Sequence, residues 1–275
     1  MKTEYKDGGI FLSEIKNFDP FVSCECGQCF RFEKISDDEY TLIAFGKKMD
    51  ILRREGGYLF KNLDKSDENA FFDYFDLKRD YGAIIDSFTD ETLIKAAKIG
   101  GGIRIFKQEP FEALISFIIS QNNNIPRIKK IIAALCELYG EEKDGYFLFP
   151  TAEKIFEGGV EGLAPIRAGF RAKYIIDAAE KTLSGEIDEK IIGNLPYDDA
   201  REKLKTIKGV GDKVANCVLL FGYGMTEAFP IDVWVRKIIA KYYGDSFDAS
   251  AFGKHAGIAQ QYLFHYERNH GGTPV

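Results

Sequence analysis

Apolar and polar positions follow two different periods along the chain. Up to about residue 64 the apolar residues come in short aromatic or β-branched runs, Phe30-Arg31-Phe32, Tyr40-Thr41-Leu42-Ile43-Ala44-Phe45 and Tyr58-Leu59-Phe60. Ser36-Asp37-Asp38, Gly46 and Gly56-Gly57 interrupt them. Runs of this kind bounded by turn formers predict short strands. From Ser66 the pattern becomes helical. Ser66-Asp67-Glu68-Asn69 reads as a helix start ahead of Phe71, Phe72, Tyr74 and Phe75, and Thr89-Asp90-Glu91-Thr92 opens a second helix running through Ala97. Glu109-Pro110 begins a strong helix, because proline suits the first helical position and Phe111, Leu114, Ile115, Ile118 and Ile119 share one face. Further helices are predicted over 126–139, 151–157, 171–184, 198–206, 212–223, 232–242 and 249–267. No internal repeat, heptad run or long low-complexity linker interrupts them. The pattern predicts an α+β protein. An N-terminal antiparallel β domain with some helices (residues 1–90) is expected to pack on a mostly α-helical domain (residues 91–275).

Composition narrows the classes. No run of about eighteen apolar residues occurs, so no membrane-spanning helix is expected. The start, Met1-Lys2-Thr3-Glu4-Tyr5-Lys6-Asp7, is mixed in charge and has no apolar signal core after it, which predicts a cytoplasmic protein. Five cysteines argue against a complete disulfide framework. Cys24-Glu25-Cys26-Gly27-Gln28-Cys29 is cysteine-dense, but Cys136 and Cys217 are far off in helical segments, so a zinc site lacks its second close pair. The net charge of −6 argues against a large nucleic-acid footprint and for a compact, site-seeking enzyme.

The densest chemistry lies in Lys205-Thr206-Ile207-Lys208-Gly209-Val210-Gly211-Asp212-Lys213-Val214-Ala215-Asn216-Cys217, with Pro230-Ile231-Asp232 downstream. Gly209-Val210-Gly211 predicts a tight turn between two helices. The helix from Asp212 would then present free N–H groups, a site that suits a phosphodiester. Lys213 falls in the first turn of that helix, where the helix dipole disfavours a cation and eases loss of its proton. A neutral lysine is a nucleophile able to form a Schiff base. Asp232 supplies a carboxylate.

This order of hairpin, lysine and aspartate resembles the helix-hairpin-helix, Gly-Pro-Asp superfamily of base-excision DNA glycosylases, and over nearly its whole length the chain resembles the 8-oxoguanine DNA glycosylases. The resemblance implies a bifunctional DNA glycosylase and AP lyase, with Lys213 as nucleophile and Asp232 stabilising charge on the sugar. Four further segments carry it. In Gly27-Gln28-Cys29-Phe30-Arg31-Phe32 it implies that the carbonyl of Gly27 accepts from N7–H of 8-oxoguanine, where guanine has only an acceptor. In Ser120-Gln121-Asn122-Asn123-Asn124-Ile125-Pro126-Arg127 it implies that Asn122 fills the gap left by the extruded base and Arg127 reads the orphaned cytosine. The three asparagines can also cap the next helix. In Gly169-Phe170-Arg171-Ala172-Lys173-Tyr174, Phe170 stands where the family usually has tyrosine as a wedge, and Arg171 matches a second cytosine reader. In Phe252 to Phe264, Gln260 would bond the edge of the flipped base while Phe264 and Cys217 cover its two faces. Trp234 departs from the histidine that relatives often place against a phosphate, because indole donates one hydrogen bond and cannot become cationic.

Related thymine-glycol and adenine glycosylases carry a four-cysteine iron–sulfur cluster after the catalytic helices. No cysteine follows Cys217, so no such cluster is expected and no redox cofactor is required. Hairpin carbonyls beside a phosphate leave room for a structural cation. The expected partner is double-stranded DNA containing 8-oxoguanine, bound by a monomer that associates with the nucleoid if the source is prokaryotic. Two alternatives stay open: a glycosylase-lyase for another oxidised base, and a noncatalytic binder using the hairpin as a phosphate clamp.

Overall fold

The computed structural model describes residues 1–244 and 247–270. Its elements in chain order are β1 (Lys2–Lys6), β2 (Gly9–Ser13), α1 (Pro20–Glu25), β3 (Phe32–Ser36), β4 (Glu39–Ala44), β5 (Lys47–Arg54) and β6 (Gly57–Lys61). Helices α2 (Glu68–Tyr74), α3 (Tyr81–Asp86), α4 (Glu91–Ile99), α5 (Pro110–Ser120) and α6 (Ile125–Tyr139) follow. A two-residue hairpin, β7 (Glu142–Lys143) and β8 (Tyr146–Phe147), precedes α7 (Ala152–Gly162), α8 (Ala172–Leu183), α9 (Glu189–Asn194) and α10 (Tyr197–Leu204). The last helices are α11 (Asp212–Tyr223), α12 (Val233–Tyr242) and α13 (Ala256–His270). An antiparallel sheet beside many helices is the α+β class that the pattern predicted.

Contacts group the chain into two compact units. One holds Met1–Lys107 and the segment from Thr226 onward; the other is Gln108–Met225. The sequence-based division near Asp90 followed the change of hydrophobic period, whereas these units follow packing, so the C-terminal helices join the unit that carries the sheet.

In that first unit, six strands form one antiparallel sheet in the order β1-β2-β6-β5-β4-β3. Alternation on β4 turns Tyr40, Leu42 and Ala44 inward, and Ile10 and Ile51 both pair with Phe60 at the centre. Phe18, Phe21, Phe71, Phe75 and Phe106 complete an aromatic core over this face. The expected strand at Phe30 begins at Phe32. Strands β1, β2 and β5 had no clear signal: β1 is almost wholly exposed, and β5 dilutes Met49, Ile51 and Leu52 with charge. Helices α1, α3 and α9 are six residues each, too short for a 3.6-residue period to show. Helix α13 packs on α4 and α12.

The second unit is built around α5 and α11, which pack directly on each other. Phe117 and Phe221 stack with ring centroids 5.3 Å apart, and a Cβ on Gly222 would lie only 3.1 Å from Pro110 Cα. An unbroken run of each helix is buried, Ala113–Ile119 of α5 and Val214–Gly222 of α11, which matches the continuous apolar character of α5. Among the described residues no helix is long and apolar enough to cross a membrane.

Candidate active site

Helices α10 and α11 flank the turn that the sequence predicted. Gly209 has φ +76°, the left-handed conformation, and a Cβ there would lie 2.2 Å from the ring of Tyr174. Both the backbone angle and the close approach therefore require glycine. Gly211 has φ −99° and open space around it, so it serves as an extended N-cap. Gly211 offers no side-chain cap to α11, and the turn before the helix carries two exposed glycines, an arrangement that suits an anion site.

The turn is held from outside as well. The Lys208 N–H donates to Asp177 Oδ2 at 2.8 Å, and Lys208 Nζ lies 3.1 Å from Asp177 Oδ1. Asp177 is a buried carboxylate on α8. Lys205 Nζ closes the hairpin on Asp212 Oδ1 at 2.9 Å, and this hydrogen bond holds the Asp212 carboxyl below its usual range. Sequence reading gave Asp177 and Tyr174 no role. The available signal was a carboxylate on the apolar face of the helix predicted over 171–184.

Lys213 is the second residue of α11 and is half-buried. Its Nζ donates to Ser120 Oγ at 3.1 Å and lies 5.2 Å from the centre of the Phe117 ring. Cys217 follows one turn along α11, buried at 3% exposure. The packing of α5 on α11 thus joins the predicted nucleophile to Ser120, a residue that the sequence supplied only as the start of the asparagine run.

That run forms a taut loop. Asn122 is exposed with φ +47°, and Asn124 caps α6 by accepting from the Arg127 N–H at 3.0 Å. Arg127 is exposed. Arg171 turns inward: it is 4% exposed and donates to the carbonyls of Gln121, Asn122 and Ala168. Burial, and then the charge of Arg127, lower its guanidinium from the ordinary value. Its neighbour Phe170 is 51% exposed, its ring 4.5 Å from the Arg171 guanidinium. The loop therefore offers Phe170, Asn122 and Arg127 to solvent, with Arg171 as its brace.

The remaining predicted residues lie in the sheet-bearing unit. Asp232 is the N-cap of α12, its Oδ1 accepting from the Val235 N–H at 2.8 Å. Trp234 is partly exposed, and Lys237 Nζ sits 4.9 Å from its ring centre, so a cation accompanies the indole. Gln260 is buried and accepts from Gln261 Nε2 at 2.8 Å. Phe264 is partly buried against the cluster of Phe229, Val235 and Ala256. Gly27 has φ +81°, and its loop is pinned by Gln28, which donates to the carbonyls of Ser23 and Arg104 and accepts from the Phe106 N–H. All five cysteines are buried free thiols. Among the described residues no group of three or more His, Cys, Asp or Glu is arranged to hold a metal.

Comparison with known proteins places this arrangement. The helix-hairpin-helix Gly-Pro-Asp superfamily of base excision DNA repair proteins matches residues 115–251, and the N-terminal domain of 8-oxoguanine DNA glycosylase matches residues 10–114. A probable N-glycosylase/DNA lyase of Methanothermobacter thermautotrophicus is 32% identical over 230 residues, 72% of this chain and 73% of that protein. The solved structure of Clostridium acetobutylicum 8-oxoguanine glycosylase/lyase, in complex with double-stranded DNA containing cytosine opposite 8-oxoguanine, is 36% identical. It superposes with a TM-score of 0.92 over 99% of each chain. MBOgg1 in complex with a low-affinity DNA ligand is 40% identical, with a TM-score of 0.93 over 98% of this chain and 99% of that one. The chain belongs to the 8-oxoguanine DNA glycosylase/lyase family and is a bifunctional enzyme of that class.

Proposed function

We propose that this enzyme extrudes 8-oxoguanine from duplex DNA, preferably opposite cytosine, cleaves its glycosidic bond through Lys213 and nicks the strand by β-elimination. The observation that carries the reading is the placement of Lys213: half-buried, one residue into a helix whose uncapped N-terminus follows an exposed glycine hairpin. A phosphate held on those N–H groups would bring a sugar near the amine. A base stacked in the duplex is out of reach, so extrusion must come first.

In its neutral form Lys213 attacks C1′ as the bond to the base breaks and the electron pair leaves with the base. The amine then gives up a proton to the sugar ring oxygen as that oxygen departs from C1′, leaving a free 4′-hydroxyl and a protonated Schiff base. That cation acidifies the C2′ proton. Its removal expels the 3′ phosphate and cuts the strand. Asp232 stabilises positive charge on the sugar with the carboxylate oxygen not used in capping α12. Gly27, Gln260, Phe264 and Cys217 bind the base. Arg127 reads the cytosine, joined by Arg171 once it releases loop carbonyls that it braces here; Asn122 and Phe170 fill the gap, and Trp234 with Lys237 meets the backbone. A structural cation on the hairpin carbonyls would complete the phosphate grip.

Borohydride trapping tests the reading. A covalent adduct should form on a duplex with 8-oxoguanine opposite cytosine and be absent on undamaged DNA. An adduct of normal yield with Lys213→Gln would remove Lys213 from the mechanism.

A further inference from the structure

The geometry points to Ser120 as a positioning residue that holds the Lys213 amine in one orientation throughout the reaction. This inference rests on the reading of Lys213 as nucleophile. Ser120 is the last residue of α5, and its hydroxyl donates to the carbonyl of Phe117 at 2.8 Å. That bond fixes the rotamer and commits the only hydroxyl proton, leaving lone pairs to accept. Lys213 Nζ donates to this same oxygen at 3.1 Å from α11. The two residues are 93 positions apart, so the contact exists only because α5 and α11 pack together.

Both ends of the contact are rigid. Phe117, which anchors the hydroxyl, stacks on Phe221 of α11, and the glycine at 222 lets the backbones approach at the far end of the pair. Beyond Ser120, Arg171 holds the carbonyls of Gln121 and Asn122, so the end of α5 cannot unwind freely. A lysine otherwise carries four flexible carbons and would present its nitrogen over a wide volume.

The chemistry suits one fixed acceptor. A neutral amine has two N–H bonds and one lone pair. With one N–H on Ser120 Oγ, the lone pair is confined to a narrow arc relative to α11. After attack the nitrogen loses one proton, and the protonated Schiff base keeps one N–H, which Ser120 can still accept. Ser120 itself neither gains nor loses a proton, because its own is bound to the Phe117 carbonyl. It acts through Lys213 and needs no contact with DNA.

The test compares wild type, Ser120→Ala, Ser120→Thr and Lys213→Gln in single-turnover reactions on two duplexes. One carries 8-oxoguanine opposite cytosine; the other carries a preformed abasic site. Loss of amine orientation should slow Ser120→Ala on the order of ten- to a hundredfold on both duplexes. DNA affinity should stay within about twofold, and the final borohydride-trapped yield should be unchanged. Threonine keeps the hydroxyl and should restore most of the rate. Wild-type rates for Ser120→Ala would overturn the inference, as would slowing confined to the 8-oxoguanine duplex, or a loss that threonine does not restore. Should Ser120→Ala fail to fold, Ser120→Cys, whose thiol is a poor acceptor, replaces it with the same expected slowing on both duplexes. Undiminished trapping by Lys213→Gln would instead show that the nucleophile is misassigned, a separate failure from that of Ser120.

Discussion

Gly209→Ala puts the hairpin geometry to a direct test. The native φ of +76° is left-handed, which costs an L-residue roughly 1–2 kcal/mol. The new Cβ would also lie 2.2 Å and 2.3 Å from two ring carbons of Tyr174, so the ring or the turn must move. Overpacking of this kind costs about 1–3 kcal/mol. The sum is about 2–5 kcal/mol, a large share of the stability of an ordinary domain. Urea unfolding of Gly209→Ala, Tyr174→Ala and the double variant separates the two parts. If the clash is real, removing the ring recovers it, and the double variant is at least about 1 kcal/mol more stable than additivity predicts. The backbone strain remains in both. Gly211→Ala is the control: its φ of −99° is ordinary and nothing lies within 4 Å of the added Cβ. It should cost less than about 1 kcal/mol, yet reduce DNA affinity if a phosphate approaches that turn. A Gly209→Ala protein that unfolds like wild type, or strictly additive energies in the cycle, would refute the argument.

Other outcomes follow from the same contacts. Asp232→Asn keeps an N-cap side chain on α12, so its melting temperature should barely move while single-turnover base release falls by two or more orders of magnitude; equal rates would remove Asp232 from the chemistry. Arg127→Ala should flatten the preference for cytosine across the four opposite bases at little cost in stability, because Arg127 is exposed, whereas Arg171→Ala should destabilise by about 1–3 kcal/mol by removing the donor to the carbonyls of Gln121, Asn122 and Ala168. Phe170→Ala, at a half-exposed ring, should leave unfolding within about 0.5 kcal/mol of wild type but slow lesion processing. Burial, then Lys254 and Arg79, lower the His255 pKa below its ordinary 6.5, against an opposing pull from Glu227, and its buried Nδ1 has no hydrogen-bond partner among the described residues. The unfolded chain therefore binds the proton first as pH falls. Stability should decline from about pH 6.5 downward and level off once the folded protein is also protonated. Melting curves between pH 5 and 7.5 should be flatter for His255→Gln.

What the sequence determined by itself was local. Glycine at 209 and 211 between two apolar-faced helices dictates a turn whatever surrounds it; Pro110 marks a helix start because its fixed φ and missing N–H suit the first turn, and Asn124 and Asp232 do so because each caps an N–H three residues on. Lys213 in a first turn follows from the same arithmetic. Weakly patterned pieces escaped: β1 and β5 owe their place to partner strands, and α1, α3 and α9 are too short to carry a period. Only tertiary structure decided that the segment from Thr226 onward joins the sheet-bearing unit. It also decided that Asp177 braces the hairpin from 31 residues away, and that Arg171 turns its guanidinium onto carbonyls 50 residues back. The contact between Ser120 and Lys213 belongs to the same class. Each depends on the packing of separate helices, and a side chain's partner across such a gap is set by the whole core rather than by its neighbours in sequence.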